Sequence, residues 1–276
     1  KAKFQELIVR LSERQKIVLL IDEYDKPITD LLEDQQRVAE HVAVLKNFYS
    51  VLKSTAAEYI HFTLLTGVSK YGKVSLFSDL NNLVDLTMDR RIATLLGYTQ
   101  EELEAYFPEY IERVAETFGV SQSEILEWIE YWYNGYSWDG VHRVYVPFST
   151  MIFLERQTFE NHWFTTGTPS FLIKLLRRKE IPAYYLEKLS GDNTLLDRAD
   201  VNDIDVFSLL FQTGYLTIKR VHPLLRGQKY DLGYPNHEVA HAFQQYLLAD
   251  YLDTSVSQVS TTLLASLEEA LNSRAL

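Results

Sequence analysis

The chain contains no cysteine, so neither a disulfide framework nor a thiolate metal site can be built from it. That absence suits a reducing compartment, and the expected location is the cytoplasm. No run of about 18 apolar residues occurs, and nothing near the start resembles the apolar segment of a secretion signal, so no membrane contact is expected. Positive charge is in short supply: 27 Lys and Arg face 38 Asp and Glu, for a formal net charge of −11. Such a molecule repels nucleic acid and anionic membrane unless it carries a local basic patch. The histidines read as scattered rather than paired at ligand spacing, which leaves catalytic zinc unexpected. The chain starts at Lys1 rather than at Met and closes in an apparent helix, so it reads as an excerpt of a longer protein.

What is present centres on Lys16 to Pro27, KIVLLIDEYDKP. Five consecutive apolar residues, Ile17 to Ile21, fit a strand buried on both faces of a parallel sheet. Asp22 and Glu23 end the run, at the sheet edge where ligands of α/β proteins sit. Four apolar residues followed by Asp-Glu is the pattern of a Walker B strand, in which the Asp holds a nucleotide's Mg²⁺ and the Glu orients or deprotonates the attacking water. The competing reading is an ordinary strand before an acidic helix start, with Asp25 as its cap.

Around this strand the order is α/β. Phe4, Leu7, Ile8 and Leu11 mark a helix before it; Val42, Leu45, Phe48, Tyr49 and Leu52 mark a helix after it. Tyr59 to Thr66 reads as a second strand and Leu83 to Met88 as a third, which implies a parallel sheet with crossovers. Thr66 and Ser69 then fall at the same sheet edge as Asp22, either as a nucleotide-sensing position or as loop caps. Lys70 and Lys73 are phosphate-binding candidates or solvated loop lysines. Arg90 and Arg91 are either arginine fingers acting in trans or two exposed arginines opening a helix.

Beyond Leu95 the pattern turns helical. Thr99 with Glu102 and Ser121 with Glu124 signal helix starts, and Pro108 interrupts the first of them. Asn134-Gly135 marks a turn, Pro147 opens another helix, and Thr168-Pro169 can start one more. Trp132, Trp138 and Trp163 are expected to build a helical core. From about Ala199 to Leu252, a helix, two strands and a helix outline a winged-helix-like unit, but its last helix, HEVAHAFQQYLLADYL, offers no Lys or Arg to nucleic acid.

IDEYDKP, LKNFYSVLKS, TLLTGVSKYGKVSLFSDLNNLVDLTMD, GYTQEELEAYF, WYNGYSW, PFS, NHWFTTGTPSFLIKLL, LLFQTGYLTIK and YDLGYPNHEV, in that order, resemble the bacterial AAA-ATPase-like proteins, whose intact members usually carry a C-terminal PD-(D/E)XK nuclease-like domain. The resemblance covers most of residues 16 to 250. It implies a partial P-loop (ASCE-type) parallel sheet over 1–96, a helical lid over 97–198, a winged-helix-like unit over 199–252 and a linker helix over 253–276. It assigns Asp22 to Mg²⁺, Glu23 to water activation and Thr66 or Ser69 to the sensor position. Gly167-Thr168-Pro169 is similar to the Gly-x-Pro lid motif of the signal-transducing ATPases, whose Pro packs near the adenine.

One departure matters. No G-x-x-x-x-G-K-[ST] occurs, so the phosphate-cradling loop is expected upstream in the parent protein, and the chain as given is expected to bind nucleotide weakly or not at all. The resemblance implies an intact protein that binds Mg²⁺ and ATP, hydrolyses ATP, and uses lid rearrangement to control an attached nuclease-like module. The alternative is a degenerate, non-hydrolysing module that is gated by nucleotide or contacts a protein partner or another copy of itself.

Overall fold

The computed structural model describes residues 1–32, 34–53, 55–70, 76–77, 82–163, 170–181, 186, 189–192, 195–196, 204–252 and 255–256. The fold is mixed α/β with small sheets, and its contacts divide the described residues into two units, 1–86 with 193–213 and 87–192 with 214–276.

In the first unit, α1 (Ala2–Leu11) leads to β1 (Ile17–Ile21), then to the short α2 (Lys26–Thr29), α3 (Gln35–Tyr49) and β2 (Ile60–Leu65). β1 and β2 pair in parallel, with Val18 opposite Phe62 and Leu20 opposite Leu64. A parallel pair needs a crossover long enough to return the chain to the same end, and α3 provides it. Under one face of the pair lie Ile8 and Val51, both essentially inaccessible, with Phe4, Ile17 and Ile60 packed against them. Phe4 also stacks on Phe48 at 4.5 Å.

The other face corrects an expectation. β1 is covered on one side only: Val18, Leu20, Phe62 and Leu64 are 55, 67, 51 and 41% exposed, because no described element packs over them. The third expected strand is also absent, since residues 83–88 form no strand. Val84 is 76% exposed, and Asp85, in the middle of that run, turns its carboxylate to Lys70 Nζ at 3.1 Å. A run rich in apolar residues becomes a strand only when it also pairs along a ladder, and here its Asp85 is held by Lys70 instead.

The second unit begins with α4 (Gln100–Tyr106), α5 (Pro108–Phe118) and α6 (Gln122–Tyr133). The starts of α4 and α6 follow the sequence, whereas Pro108, expected to interrupt the first helix, also opens the next. Thr99 and Glu102 form a reciprocal capping box, Pro108 opens α5, and Ser121 Oγ accepts from the Glu124 N–H. Gly119, at φ +68°, ends α5 in the left-handed conformation. Leu103, Ile111, Val114, Ile125, Ile129 and Tyr133 pack with Phe153 and Leu154 of α7 (Pro147–Arg156) into one core, against which Trp132 lies. The other two expected core tryptophans sit elsewhere: Trp138 beside Tyr136, and Trp163 beside Tyr215.

A two-stranded ribbon of β3 (Asn134–Tyr136) and β4 (Val144–Tyr145) lies between α6 and α7. After α8 (Ser170–Arg178), β5 (Leu189–Asp192) joins the edge of an antiparallel hairpin, β6 (Thr217–Leu224) with β7 (Gly227–Gly233), to give the order β5-β7-β6. α9 (Val206–Gln212), capped by Asp205, belongs to the first unit, and α10 (His237–Tyr251), capped by Asn236, to the second. Helix, hairpin and helix thus follow in the expected order, with one strand more than the sequence suggested.

Gly135 holds β3 against the approach to α10. Its φ is +129°, and a Cβ there would lie 2.1 Å from the Pro235 carbonyl oxygen. Gly135→Ala is therefore expected to destabilise the chain by about 2–4 kcal/mol, measured by urea denaturation; a loss below about 0.5 kcal/mol would show that the backbone gives way freely.

Candidate functional site

Of the residues singled out in the sequence, the structure brings Asp22, Glu23 and Thr66 together at the C-terminal ends of β1 and β2. The strand ends are joined by the main chain first: Thr66 N–H donates to Ile21 O, and Tyr24 N–H to Thr66 O, both at 2.9 Å. The Thr66 hydroxyl then donates a short hydrogen bond to Asp22 Oδ1, which also accepts the Glu23 N–H at 3.1 Å. Both bonds use Oδ1, and Oδ2 carries no hydrogen bond to the described residues. All three side chains are exposed.

Glu23 has φ +51°, one of three non-glycine residues with positive φ among the described residues. That backbone region costs a residue with a Cβ about 1 kcal/mol or more and is held only where surroundings impose it. Here the Glu23 N–H sits between Asp22 Oδ1 and Thr66 Oγ1, the latter at 3.3 Å. Its only described cation is Lys26, at a loose 3.9 Å.

Ser69 goes elsewhere. It is buried, and its Oγ and N–H both donate to Asp25 Oδ2, at 2.9 and 2.7 Å, while Val68 N–H donates to Asp25 Oδ1 at 3.0 Å. Asp25 itself is fully buried. Read as a helix cap from the sequence, it makes no cap bond to α2 and instead holds the loop after β2. A Cβ on Gly67 would meet Asp25 Oδ1 and Tyr24 Cε1, each at 2.6 Å, so this loop needs glycine for close approach. Tyr24 completes the clasp by donating from its hydroxyl to Ser69 O at 3.1 Å; burial, then the neighbouring Asp25, raises its pKa above the ordinary range.

Lys70, a phosphate candidate, is nearly buried, paired with Asp85, and its N–H donates to Gln212 Oε1 at 2.7 Å. Arg91 forks onto Asp89, whose pKa is held down to about 2 by those hydrogen bonds, and Asp89 caps the short turn Arg90–Ile92. Gly167, Thr168, Pro169 and Lys73 lie outside the described residues, as does nearly all of 253–276.

The expectation of unpaired histidines fails on the sequence itself. His237-Glu238-Val239-Ala240-His241 is an H-E-x-x-H run, inside the helix whose lack of Lys and Arg argues against nucleic-acid contact. It is not arranged as a zinc protease. Glu238, the would-be general base, is fully buried, and its Oε1 accepts from Ser149 Oγ at 3.0 Å and Trp163 N–H at 2.8 Å. Among the described residues no group of three or more His, Cys, Asp or Glu could hold a metal ion, and no helix is long and apolar enough to cross a membrane.

Comparison with known proteins places residues 1–77 in a match to the AAA-ATPase-like family, described as a predicted AAA-ATPase. The chain is also 39% identical over 264 residues, 95% of its own length, to "Uncharacterized protein in vnfD 5'region" of Azotobacter chroococcum mcd 1. It spans about half, 49%, of that relative's length. No solved structure matches.

Two outcomes follow from this geometry. Asp25→Ala removes the buried acceptor of three hydrogen bonds and is expected to cost about 3–5 kcal/mol, whereas Asp22→Ala, at an exposed position, is expected to cost about 1 kcal/mol or less; equal losses in urea titrations would remove the distinction between clasp and site. Glu238 supplies the pH dependence. Burial raises its pKa to about 7, against the pull of the Trp163 N–H, the Ser149 hydroxyl and the His162 N–H. A raised folded value means that the fold favours the protonated acid, so its contribution is full below about 4.5, the ordinary value, and is lost as pH rises through about 7. Wild type should lose roughly 3 kcal/mol relative to Glu238→Gln across that window. A wild-type minus Glu238→Gln difference that stays flat with pH would mean that Glu238 ionises as in water.

Proposed function

We propose that this chain is the Walker B and sensor half of a P-loop ATPase core joined to a helical lid (97–198) and a winged-helix-like unit (199–252), and that the intact protein binds Mg–ATP and hydrolyses it. The observation that carries this reading is the cluster at the strand ends: an exposed carboxylate, Asp22, bonded to the Thr66 hydroxyl of the adjacent parallel strand, with Glu23 held beside it at φ +51°. The donor set fits Mg²⁺, which keeps most of its waters and takes one or two carboxylates together with nucleotide phosphates. Asp22 would hold that ion, which when bound neutralises charge on the phosphates. Glu23 would orient and deprotonate water, and Thr66, rather than the Asp25-bound Ser69, would stand at the sensor position. Gly167, Thr168 and Pro169 remain the lid residues proposed to approach the adenine.

The phosphate loop would come from a preceding strand at the free edge of β2, and the helices that accompany it would cover Val18, Leu20, Phe62 and Leu64. The 49% coverage of the relative leaves room for such a segment and for the nuclease-like module whose state the lid is proposed to control. The uncovered sheet face also favours a second reading, in which a protein partner or a second copy docks there and hydrolysis is absent.

The test uses the longer parent protein. Glu23→Gln is expected to keep ATP affinity within about threefold while lowering turnover by about 10²-fold or more, with binding followed by a fluorescent ATP analogue and turnover by phosphate release. Loss of binding and turnover together would move Glu23 out of the catalytic role, and wild-type binding without turnover would favour the docking module.

A further inference from the structure

α10 opens with two imidazoles one helical turn apart, His237 and His241. Their rings lie nearly parallel, with centroids 5.4 Å apart and planes inclined by 16°, and both are half-buried. Each is held at Nδ1 by a residue from another part of the second unit. The Tyr131 hydroxyl, at the end of α6, lies 2.9 Å from His237 Nδ1, and the Asn161 amide, from the segment after α7, lies 3.3 Å from His241 Nδ1. Tyr131 also stacks on His237 at 4.7 Å, and Trp132 meets it edge-on at 4.5 Å. Engaging Nδ1 with a second residue is how proteins orient an imidazole and set the tautomer whose lone pair is on Nε2.

The amides around His241 add a third donor. As placed, nitrogens of both Asn161 and Gln245 face the ring, Gln245 Nε2 lying 3.1 Å from His241 Nε2. A neutral imidazole has one lone pair, so at least one amide turns its oxygen inward. With the Asn161 oxygen accepting from Nδ1–H, the lone pair sits on Nε2, where the Gln245 N–H now donates. A cation can replace that N–H, and a half-turn of the Gln245 amide brings Oε1 to the same place. His237, His241 and Gln245 stand at successive i, i+4 positions along one face of α10.

We propose that His237 and His241, through their Nε2 atoms and with Gln245 Oε1 alongside, bind a first-row divalent transition-metal ion of the Zn²⁺ or Ni²⁺ class, its remaining positions filled by water. Imidazole is a preferred ligand of these ions. The site clips the first two turns of α10 and, through Tyr131 and Asn161, steadies α6 and the segment leading toward Gly167. It is a binding site rather than a hydrolytic one, because Glu238 is committed to Ser149 and Trp163. The proposal stands apart from the ATPase reading.

The test is a titration of the whole chain, freed of metal by a chelator, with Zn²⁺ alone at pH 7.5, read by competition with a chromophoric chelator and by thermal melting. One-to-one binding with a raised Tm is expected. His237→Ala and His241→Ala should each abolish it, and Tyr131→Phe, at an exposed hydroxyl, should weaken it about tenfold. Should an alanine variant fold poorly, imidazole ¹⁵N spectra of the wild-type chain replace it, and the Nε2 resonances of His237 and His241 should move on adding Zn²⁺. Absence of stoichiometric binding, binding unchanged in both alanine variants (an adventitious ion only), or unmoved Nε2 resonances each overturns the proposal.

Discussion

The first unit depends on one buried carboxylate. Asp25 is fully inaccessible and accepts three hydrogen bonds from Val68 and Ser69, which ties the turn after β1 to the loop after β2. Burying a charge is expensive unless donors surround it, and the donors here are two backbone N–H groups and a hydroxyl from one short loop. Gly67 admits both the carboxylate and the Tyr24 ring, and the Tyr24 hydroxyl donates to Ser69 O in the same loop. With Asp25 carrying the structural burden, Asp22, Glu23 and Thr66 are left exposed at the rim. Three acids in four residues thus divide into a buried clasp and an exposed rim that can meet a ligand.

The second unit solves a different problem, that of packing many aromatic rings without leaving their polar neighbours stranded. Tyr133, Phe153, Phe159 and Trp132 form a stacked and tilted set within the helical core. Glu238 reaches from the first turn of α10 to Ser149 on α7 and to the Trp163 N–H, so one side chain joins three stretches of chain. Its raised pKa is the cost of that position, since burial opposes the charged form more than the three donors favour it. Beside it, the stack of Tyr131, His237 and His241 carries the same unit out to its surface.

Much of the local structure was legible in the residues. Thr99 with Glu102 and Ser121 start helices where expected, because a cap needs only a side-chain oxygen and the next turn's N–H groups, and Pro147 does so because its fixed φ suits the first helical position. The strand ending in Asp22 and the strand ending in Thr66 were legible as well, and they lie side by side. Asp25 was misread because a carboxylate before Lys-Pro looks locally like a cap, whereas its partners lie more than 40 residues away. LVDLTM reads as a strand by its apolar residues but forms none, because composition says nothing about whether a run pairs along a ladder. HEVAH carries the H-E-x-x-H spacing in its residues alone, whereas the commitment of Glu238 to Ser149 and Trp163 lies in the packing.

The sequence by itself determined the capped helix starts at Thr99 and Ser121, the parallel order of β1 and β2 and the acidic residues after β1, since these follow from short-range hydrogen bonding and the periodicity of apolar side chains. Only the tertiary structure decided which acid is buried, which of Thr66 and Ser69 stands beside Asp22, and that one apolar face of the sheet is left uncovered. Those outcomes turn on desolvation and on contacts between residues far apart in the chain, which no local pattern encodes.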